Sequence, residues 1–421
     1  MCAVCLSQVN LGCFYEWRPY HASPDSCLPV EAAVNGPRGT VNQYRFEPSH
    51  QGVALSAGRL DRRPLLVWSQ GPLGIGNYDA AKSSPAIAED SVYIGQDDGR
   101  LWALDRDTGE PRWNFATRRH FQELGRPDRA YTGIHGSPAF DEANVYIGDY
   151  AGWLYAVDRR DGTLVWERQL GGSIGSSPVL DGERIWIAVE FPKPEGKVFA
   201  VRASDGAVLL ASEYLGEQMH GSVSLSAQSA RLVIGTNQGR VLGLLPESLA
   251  VVWTQSLDGA VKSTAAIIGD LALITAWDGA LHAFDLSSGK PHFSVVTQDR
   301  SMSSPAVWDD VVCFGSHDQS LTCVELASGQ VRWKEFTDGI VSSSPIIVKD
   351  QRLVIVGSVD GSVYAYWLDN GALAWSWFLG AAITSVPVAV DCSLFVNDDL
   401  GTVWRLDASD EPYPGILGSA L

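Results

Sequence analysis

The sequence predicts an all-β protein, an eight-bladed β-propeller with tryptophan-docking motifs, closed by an N-terminal strand. Three observations carry this prediction. A unit of about forty residues recurs: "SSPAIAEDSVYIGQDDGRLWALDRDTGEPRW" at 83–113 returns as "SSPAVWDDVVCFGSHDQSLTCVELASGQVRW" at 303–333. Such a period marks a repeat architecture. The unit opens eight times, at Ser83, Ser137, Ser176, Gly221, Ser263, Ser303, Ser343 and Ser385, but closes on a large apolar residue only seven times, at Trp113, Trp166, Leu210, Trp253, Phe293, Trp333 and Trp375. The eighth closing residue is Trp68, in "RPLLVWSQ" near the other end of the chain.

Each unit reads as four strands. The opening Ser-Ser-Pro leads into a short apolar run, then a turn, a second strand such as "VYIG", a Gly-containing hairpin, a third strand such as "LWALD", and a short strand ending near Trp. Short apolar runs bounded by turn residues are strands, and four in series make an antiparallel meander. The last unit, "VPVAVDCSLFVNDDLGTVWRLD", stops before its fourth strand, which the segment around 63–70 supplies. Closing the ring this way removes the open sheet edge. Residues 1–56 carry no repeat signal and read as an irregular leader, 57–410 as the propeller, and 411–421 as a C-terminal tail.

Composition excludes several classes. The 421 residues carry a formal charge of −18, which argues against DNA or an anionic membrane as a partner. No apolar run is long enough to span a bilayer. The N-terminus, "MCAVCLSQVNLGC", has no Lys or Arg before its apolar part and makes a poor signal peptide, so a cytoplasmic location is expected, or a periplasmic one if a leader has been removed. Seven sparse cysteines make no disulfide scaffold, and Cys313 and Cys323 read as buried free thiols. Cys2, Cys5, Cys13 and Cys27, with His21 nearby, offer four thiolates, but their spacing matches no usual zinc knuckle. The expectation is no metal and no resident cofactor.

The strand order puts the start of each first strand, the hairpin between second and third strands and the inter-blade connections on one funnel face. Three residues before each "SSP" proline, a ring forms from Lys82, His135, Gly175, His220, Lys262, Met302, Ser342 and Thr384. Two Lys and two His at equivalent positions, in a chain with 8 His, single out this mouth. Histidine exchanges protons near neutrality and lysine holds anions. The hairpins add Gln96, Asp97, Asp149, Tyr150, Asn237, Trp277, His317 and Asp398. A long basic connection at 116–136 brings Arg118, Arg119, His120, Arg126 and Arg129, and a proline-stiffened insertion, "EFPKPEG" at 190–196, lengthens one hairpin.

The spacing Ala103, Gly109, Trp113 recurs as Ala156, Gly162, Trp166 and as Ala365, Gly371, Trp375. These residues resemble the tryptophan-docking motif of the pyrroloquinoline-quinone-type propellers, a family of quinoprotein alcohol dehydrogenases and BamB-like outer-membrane assembly lipoproteins. The resemblance spans about 350 residues and implies that each Trp packs between blades on the motif's Ala and Gly. Leu210, Leu249 and Phe293 depart from the pattern. The quinone enzymes imply an adjacent cysteine pair, a calcium site and an acidic base. This chain has no Cys-Cys pair, and nothing in the spacing of Asn237 and Asp278 demands a metal.

The functional expectation is a binding protein that holds a protein partner or an anionic small molecule on the funnel face, with homo-oligomer formation as a further option. The rival is an enzyme, a lyase, cyclase or oxidoreductase and less favourably a quinone-dependent dehydrogenase, with His135 or His220 as base and Lys82, Lys262 and Arg129 fixing a substrate anion. Trp277, Asn237, Arg126 and Arg129 are the candidates to contact a ligand or cofactor.

Overall fold

The computed structural model describes residues 39–54, 59–74, 82–117, 133–192 and 195–408. Eight antiparallel sheets of four strands are arranged as blades: blade 1 at 86–116, blade 2 at 139–169, blade 3 at 179–211, blade 4 at 224–256, blade 5 at 266–296, blade 6 at 306–336 and blade 7 at 346–378. Blade 8 joins residues 388–407 to the N-terminal strand Leu65–Gln70, which pairs with Val403–Asp407. The ring is thus closed by a strand from the opposite end of the chain, as the repeat count requires.

The core lies between blades rather than within them. There are eight clusters of buried apolar side chains, and each draws on two adjacent blades. The tryptophans seal the outer part of each interface. Trp333 lies flat on the next blade's Gly371 and donates its indole N–H to Leu368 O at 2.8 Å. Trp68, Trp113, Trp166 and Trp253 make the same bond to Arg106, Arg159, Ala203 and Leu286. Trp375 donates instead to Leu60 O at 2.7 Å, because the turn before blade 8's outer strand comes from the N-terminal segment.

Gly371 shows why the motif needs glycine. Its φ is +73°, and a Cβ there would sit 2.8 Å from the Trp333 ring. Leu249 occupies the same left-handed position at φ +58° in blade 4. Its neighbour across the interface is Leu210, where six other blades carry Trp, and Leu210 packs against the apolar cluster that holds Leu249. The two departures from the motif are therefore one: a smaller knob meets a filled hole.

A second seam runs around the channel. The backbone N–H of Ser84 donates to Ser137 Oγ, Ser137 to Ser177, Ser177 to Ser222, Ser222 to Thr264, Thr264 to Ser304 and Ser304 to Ser344, all at 2.9–3.0 Å. Val386 N–H returns to Ser84 Oγ at 2.9 Å. Position 386 has no hydroxyl of its own, so the ring has one gap.

Residues 39–54, part of the segment read as an irregular leader, lie in the channel and bond to the inner strands of blades 1 to 7 and to the turn after the inner strand of blade 8. The N–H groups of Phe140, Leu225, Ile267, Val307 and Ile347 donate to Asn42, Pro48, Ser49, Gln51 and Gly52 O, each at 2.8 Å. Ile87 exchanges both bonds with Val41, and Leu180 N–H donates to Gln43 Oε1 at 2.9 Å. Gly39 N–H reaches the Asp391 carboxylate of blade 8. Val53–Ala54 adds a parallel fifth strand to blade 7. The free edge that the inner strands of blades 1 to 7 would present to the channel is thereby capped. Arg45 and His50 are buried within this plug. Arg45 donates to the carbonyls of His50, Ser304, Pro305 and Pro345, and burial lowers its pKa to about 10.

The reading of Cys313 and Cys323 as free thiols is corrected: they face each other on adjacent strands of blade 6 and form a disulfide. Alternation on strands places directly opposed residues on one face of the sheet, which puts the two sulfurs within bonding reach. Cys392 is buried. The leader cysteines and His21 lie outside the described residues.

Candidate functional site

All eight positions of the predicted mouth ring line one pocket of about 330 Å³, with the hydroxyl ring below them and Tyr44 of the plug beneath. Lys82, His135, His220 and Lys262 are thus brought together. The inner strands achieve this by starting at the same level in every blade, so that equivalent residues point at the axis.

One side of the pocket is a bonded chain of polar groups. His135 Nε2–H donates to Asp97 Oδ1 at 2.8 Å, and both side chains are buried. The His135 ring rests on Tyr150, with centroids 4.2 Å apart. The Tyr150 hydroxyl reaches His220 Nε2 at 3.3 Å, and His220 Nδ1 bonds Glu190 Oε1 at 2.5 Å. Glu190 is buried on the lengthened hairpin of blade 3. Each imidazole therefore has one nitrogen tied to a carboxylate, which fixes its orientation. With Nδ1–H donated to Glu190, Nε2 of His220 accepts from Tyr150. Burial pushes His135 below the usual imidazole range, against the hydrogen bond to Asp97. Burial, then the charges of Glu190 and Asp97, hold the Tyr150 phenol well above its usual value, so it stays protonated and donates. Gly175 stands in this ring because Tyr150 takes the space: a Cβ there would lie 3.0 Å from its hydroxyl.

The other side carries cations. Lys262 Nζ lies 4.2 Å and Arg300 4.8 Å from the Trp277 ring centroid. Arg300 Nε donates to His317 Nδ1 at 3.1 Å, and Ser342 Oγ meets His317 Nε2 at 3.3 Å. Thr384 Oγ1 donates to Asp399 Oδ1 at 2.6 Å. Burial and then the charge of Lys82 lower the Lys262 pKa, with Glu190 acting against them and Arg300 adding to them. Among the described residues neither Lys82 nor Lys262 is paired with a carboxylate.

Several sequence candidates fall elsewhere. Trp277 is not part of the pocket lining and serves as the π-face under Lys262 and Arg300. Asn237 also lies outside the lining, with its N–H on Gln218 O and its buried Oδ1 without a hydrogen bond. Asp278 is bonded to His282 Nε2 at 2.9 Å. Among the described residues no group of three His, Cys, Asp or Glu side chains is placed to hold a metal. Arg126 and Arg129, with the rest of the basic connection from 118 to 132, lie outside the described residues. Sequence reasoning missed Tyr44 and the hydroxyl ring. The recurrent second Ser of "SS" was a visible signal for the ring, whereas Tyr44 sits in a segment without repeats.

The family model described as "Outer membrane protein assembly factor BamB" matches residues 66–212 and 120–335. BamB of Escherichia coli K12 is 26% identical over 306 residues, covering 71% of this chain and 69% of that protein. The crystal structure of BamB from Moraxella catarrhalis superposes with a TM-score of 0.65 at 18% identity, over 83% of this chain and 98% of that one. A europium-containing methanol dehydrogenase superposes with a TM-score of 0.72 at 11% identity, over 89% and 98%, a likeness of fold alone.

Proposed function

Because the chain belongs to the family of the outer membrane protein assembly factor BamB, we propose that it is a protein-binding propeller that holds a component of an outer-membrane assembly apparatus on the rim of its funnel face. One observation supports this placing of the contact. The outer strands of blades 5, 6 and 7 end at the funnel face in Val296, Phe336 and Phe378, which are 77%, 61% and 67% exposed. The equivalent residues of blades 1, 2 and 4 are Ala116, Gln169 and Ser256. Exposed Val359 and Leu400 extend the patch onto the hairpins of blades 7 and 8.

Other exposed apolar residues, such as Leu164, Val251, Val331 and Leu373, recur at the start of outer strands around the ring and belong to the repeat. The funnel-face arc does not recur. Large exposed apolar side chains confined to the same edge of neighbouring blades have the character of an interaction site. The Cys313–Cys323 disulfide and the family both favour an oxidising compartment facing the outer membrane over the cytoplasm expected from the leader.

The test is site-specific photocrosslinking in the native host, with the crosslinker at Phe336 or Phe378 and, as control, at Val331 on the opposite end of the same blade. The expected result is one discrete adduct with an outer-membrane assembly protein from the funnel-face positions alone. Equal crosslinking from Val331, or none from either arc position, would refute docking on this arc.

A further inference from the structure

The pocket inside the rim is a separate feature, and its chemistry differs from that of the apolar arc. Two observations bear on what it holds. The first is the hydroxyl ring. In Ser84, Ser137, Ser177, Ser222, Thr264, Ser304 and Ser344 the oxygen already accepts a backbone N–H from the adjacent blade. That leaves each O–H hydrogen directed elsewhere, and among the described residues none of the seven donates it to a protein acceptor. All seven side chains line the same cavity. A hydroxyl has one donor and two acceptor sites. Here the protein uses the acceptor side and presents the donor side to the axis.

The second observation is charge. Lys82 and Lys262 enter the pocket from blades 1 and 5, on opposite walls. Their surroundings are accounted for as follows. Glu190 is bonded to His220, Asp97 to His135 and Asp399 to Thr384. Among the described residues Arg300 and His317 stand on the cationic side, with the Asp299 carboxylate acting on His317, and Lys82 and Lys262 feel the charges of Asp399 and Glu190 without forming an ion pair with either. In a chain of net charge −18, two lysines facing one cavity with no carboxylate ion-paired to them among the described residues run against the overall composition. The plug shuts the channel below them, so the cavity is blind. Its volume is at the lower end of those that hold small ligands.

We propose that this pocket binds a small organic dianion, with its two anionic groups on Lys82 and Lys262 and its remaining oxygens accepting from the hydroxyl ring. Opposed lysines select for two charges on one molecule, because a monoanion satisfies only one of them. Tyr44 below and Met302 beside the cavity give the carbon skeleton an apolar contact. His220 and His135, each held by a carboxylate, line the remaining wall and set the width available. Nothing here requires the rim to be occupied, so the site stands whether or not a protein docks on the arc.

The experiment is isothermal titration of the full-length protein with malonate, succinate and glutarate, with inorganic phosphate as a dianion of other origin and acetate as the single-charge comparison. Saturable one-site binding of a dicarboxylate, at least about tenfold tighter than acetate and weakened about tenfold or more by Lys82→Gln and by Lys262→Gln, is the expected result. Phosphate binding with the same lysine dependence would support the site and assign it to phosphate-bearing ligands. Thermal melts of the two variants check that the fold is intact. No binding of any dianion up to roughly tens of millimolar, or binding that both variants retain, would overturn the proposal. Neither outcome touches crosslinking at Phe336, so the two readings fail separately.

Discussion

His50 offers a direct test that residues 39–54 are sealed in the channel. Its side chain is fully buried, with Nδ1 3.0 Å from Tyr44 O and Nε2 3.1 Å from Val223 O. Desolvation lowers its pKa from 6.5 to about 4; the Glu47 carboxylate opposes the shift and the Arg45 cation adds to it. Between these two values the unfolded chain binds the proton and the folded chain does not, so stability falls as pH drops through 6.5 and levels off below 4. At 1.36 kcal/mol per unit the full loss is about 3 kcal/mol, of which about 2 kcal/mol falls between pH 7 and 4.5. The perturbation is His50→Gln, which removes the titration. Guanidinium unfolding followed by tryptophan fluorescence at both pH values gives the stability of each protein. Asp149, raised by burial to about 6, contributes stability in the opposite direction as pH falls, but it is present in both proteins and cancels in the difference. The expected result is that wild type starts more stable at pH 7 and that its advantage over His50→Gln narrows by about 2 kcal/mol at pH 4.5. An advantage that stays constant across this range would mean that His50 titrates as in water, and the sealed plug would be wrong.

The Leu210–Leu249 pairing predicts non-additivity. Leu210→Trp alone meets the Leu249 side chain and Leu249→Gly alone leaves a void, each costing about 1–3 kcal/mol, whereas the double variant rebuilds the motif and recovers at least about 1 kcal/mol in a double-mutant cycle. The gap in the hydroxyl ring predicts a gain. Val386→Thr gives Ser344 N–H an acceptor of the kind present at the other blade junctions and raises the denaturation midpoint by the equivalent of about 0.5–1 kcal/mol.

The propeller was legible because its determinants repeat. Eight openings, the turn glycines and the closing tryptophans each report one blade, and averaging over eight copies outweighs the departures at Leu210, Leu249 and Phe293. The mouth ring was legible for the same reason: alignment on one proline fixes the depth of Lys82, His135, His220 and Lys262. What repetition does not reach was not legible. The plug occurs once, and its bonds use backbone atoms of Asn42, Pro48, Ser49, Gln51 and Gly52, which leave no side-chain signature. Trp277 was misplaced because hairpin residues diverge outward from the axis, so membership of the funnel face did not mean membership of the pocket. Glu190 was visible only as part of a stiff insertion; that it reaches His220 follows from two eight-residue strands that lift the hairpin over the neighbouring blade.

Plug and pocket are mechanically one device. The inner strands of blades 1 to 6 each give one N–H to the hydroxyl ring and, three residues further in, one N–H to the segment 41–52. Without that segment the channel is an open tube, and water entering from either end would satisfy both sets of groups. With it, seven inner-strand edges are capped by protein and the hydroxyls above them face a space open only at the mouth. The repeat supplies a cradle with eightfold similarity. The single copy of the plug and the unequal residues of the mouth ring break that similarity, placing carboxylate-bound histidines on one wall and lysines across from each other. Specific recognition requires such a break, because a symmetric ring holds any ligand in eight equivalent poses. The asymmetry that sequence repetition obscures therefore gives the pocket the means to hold a ligand in one pose.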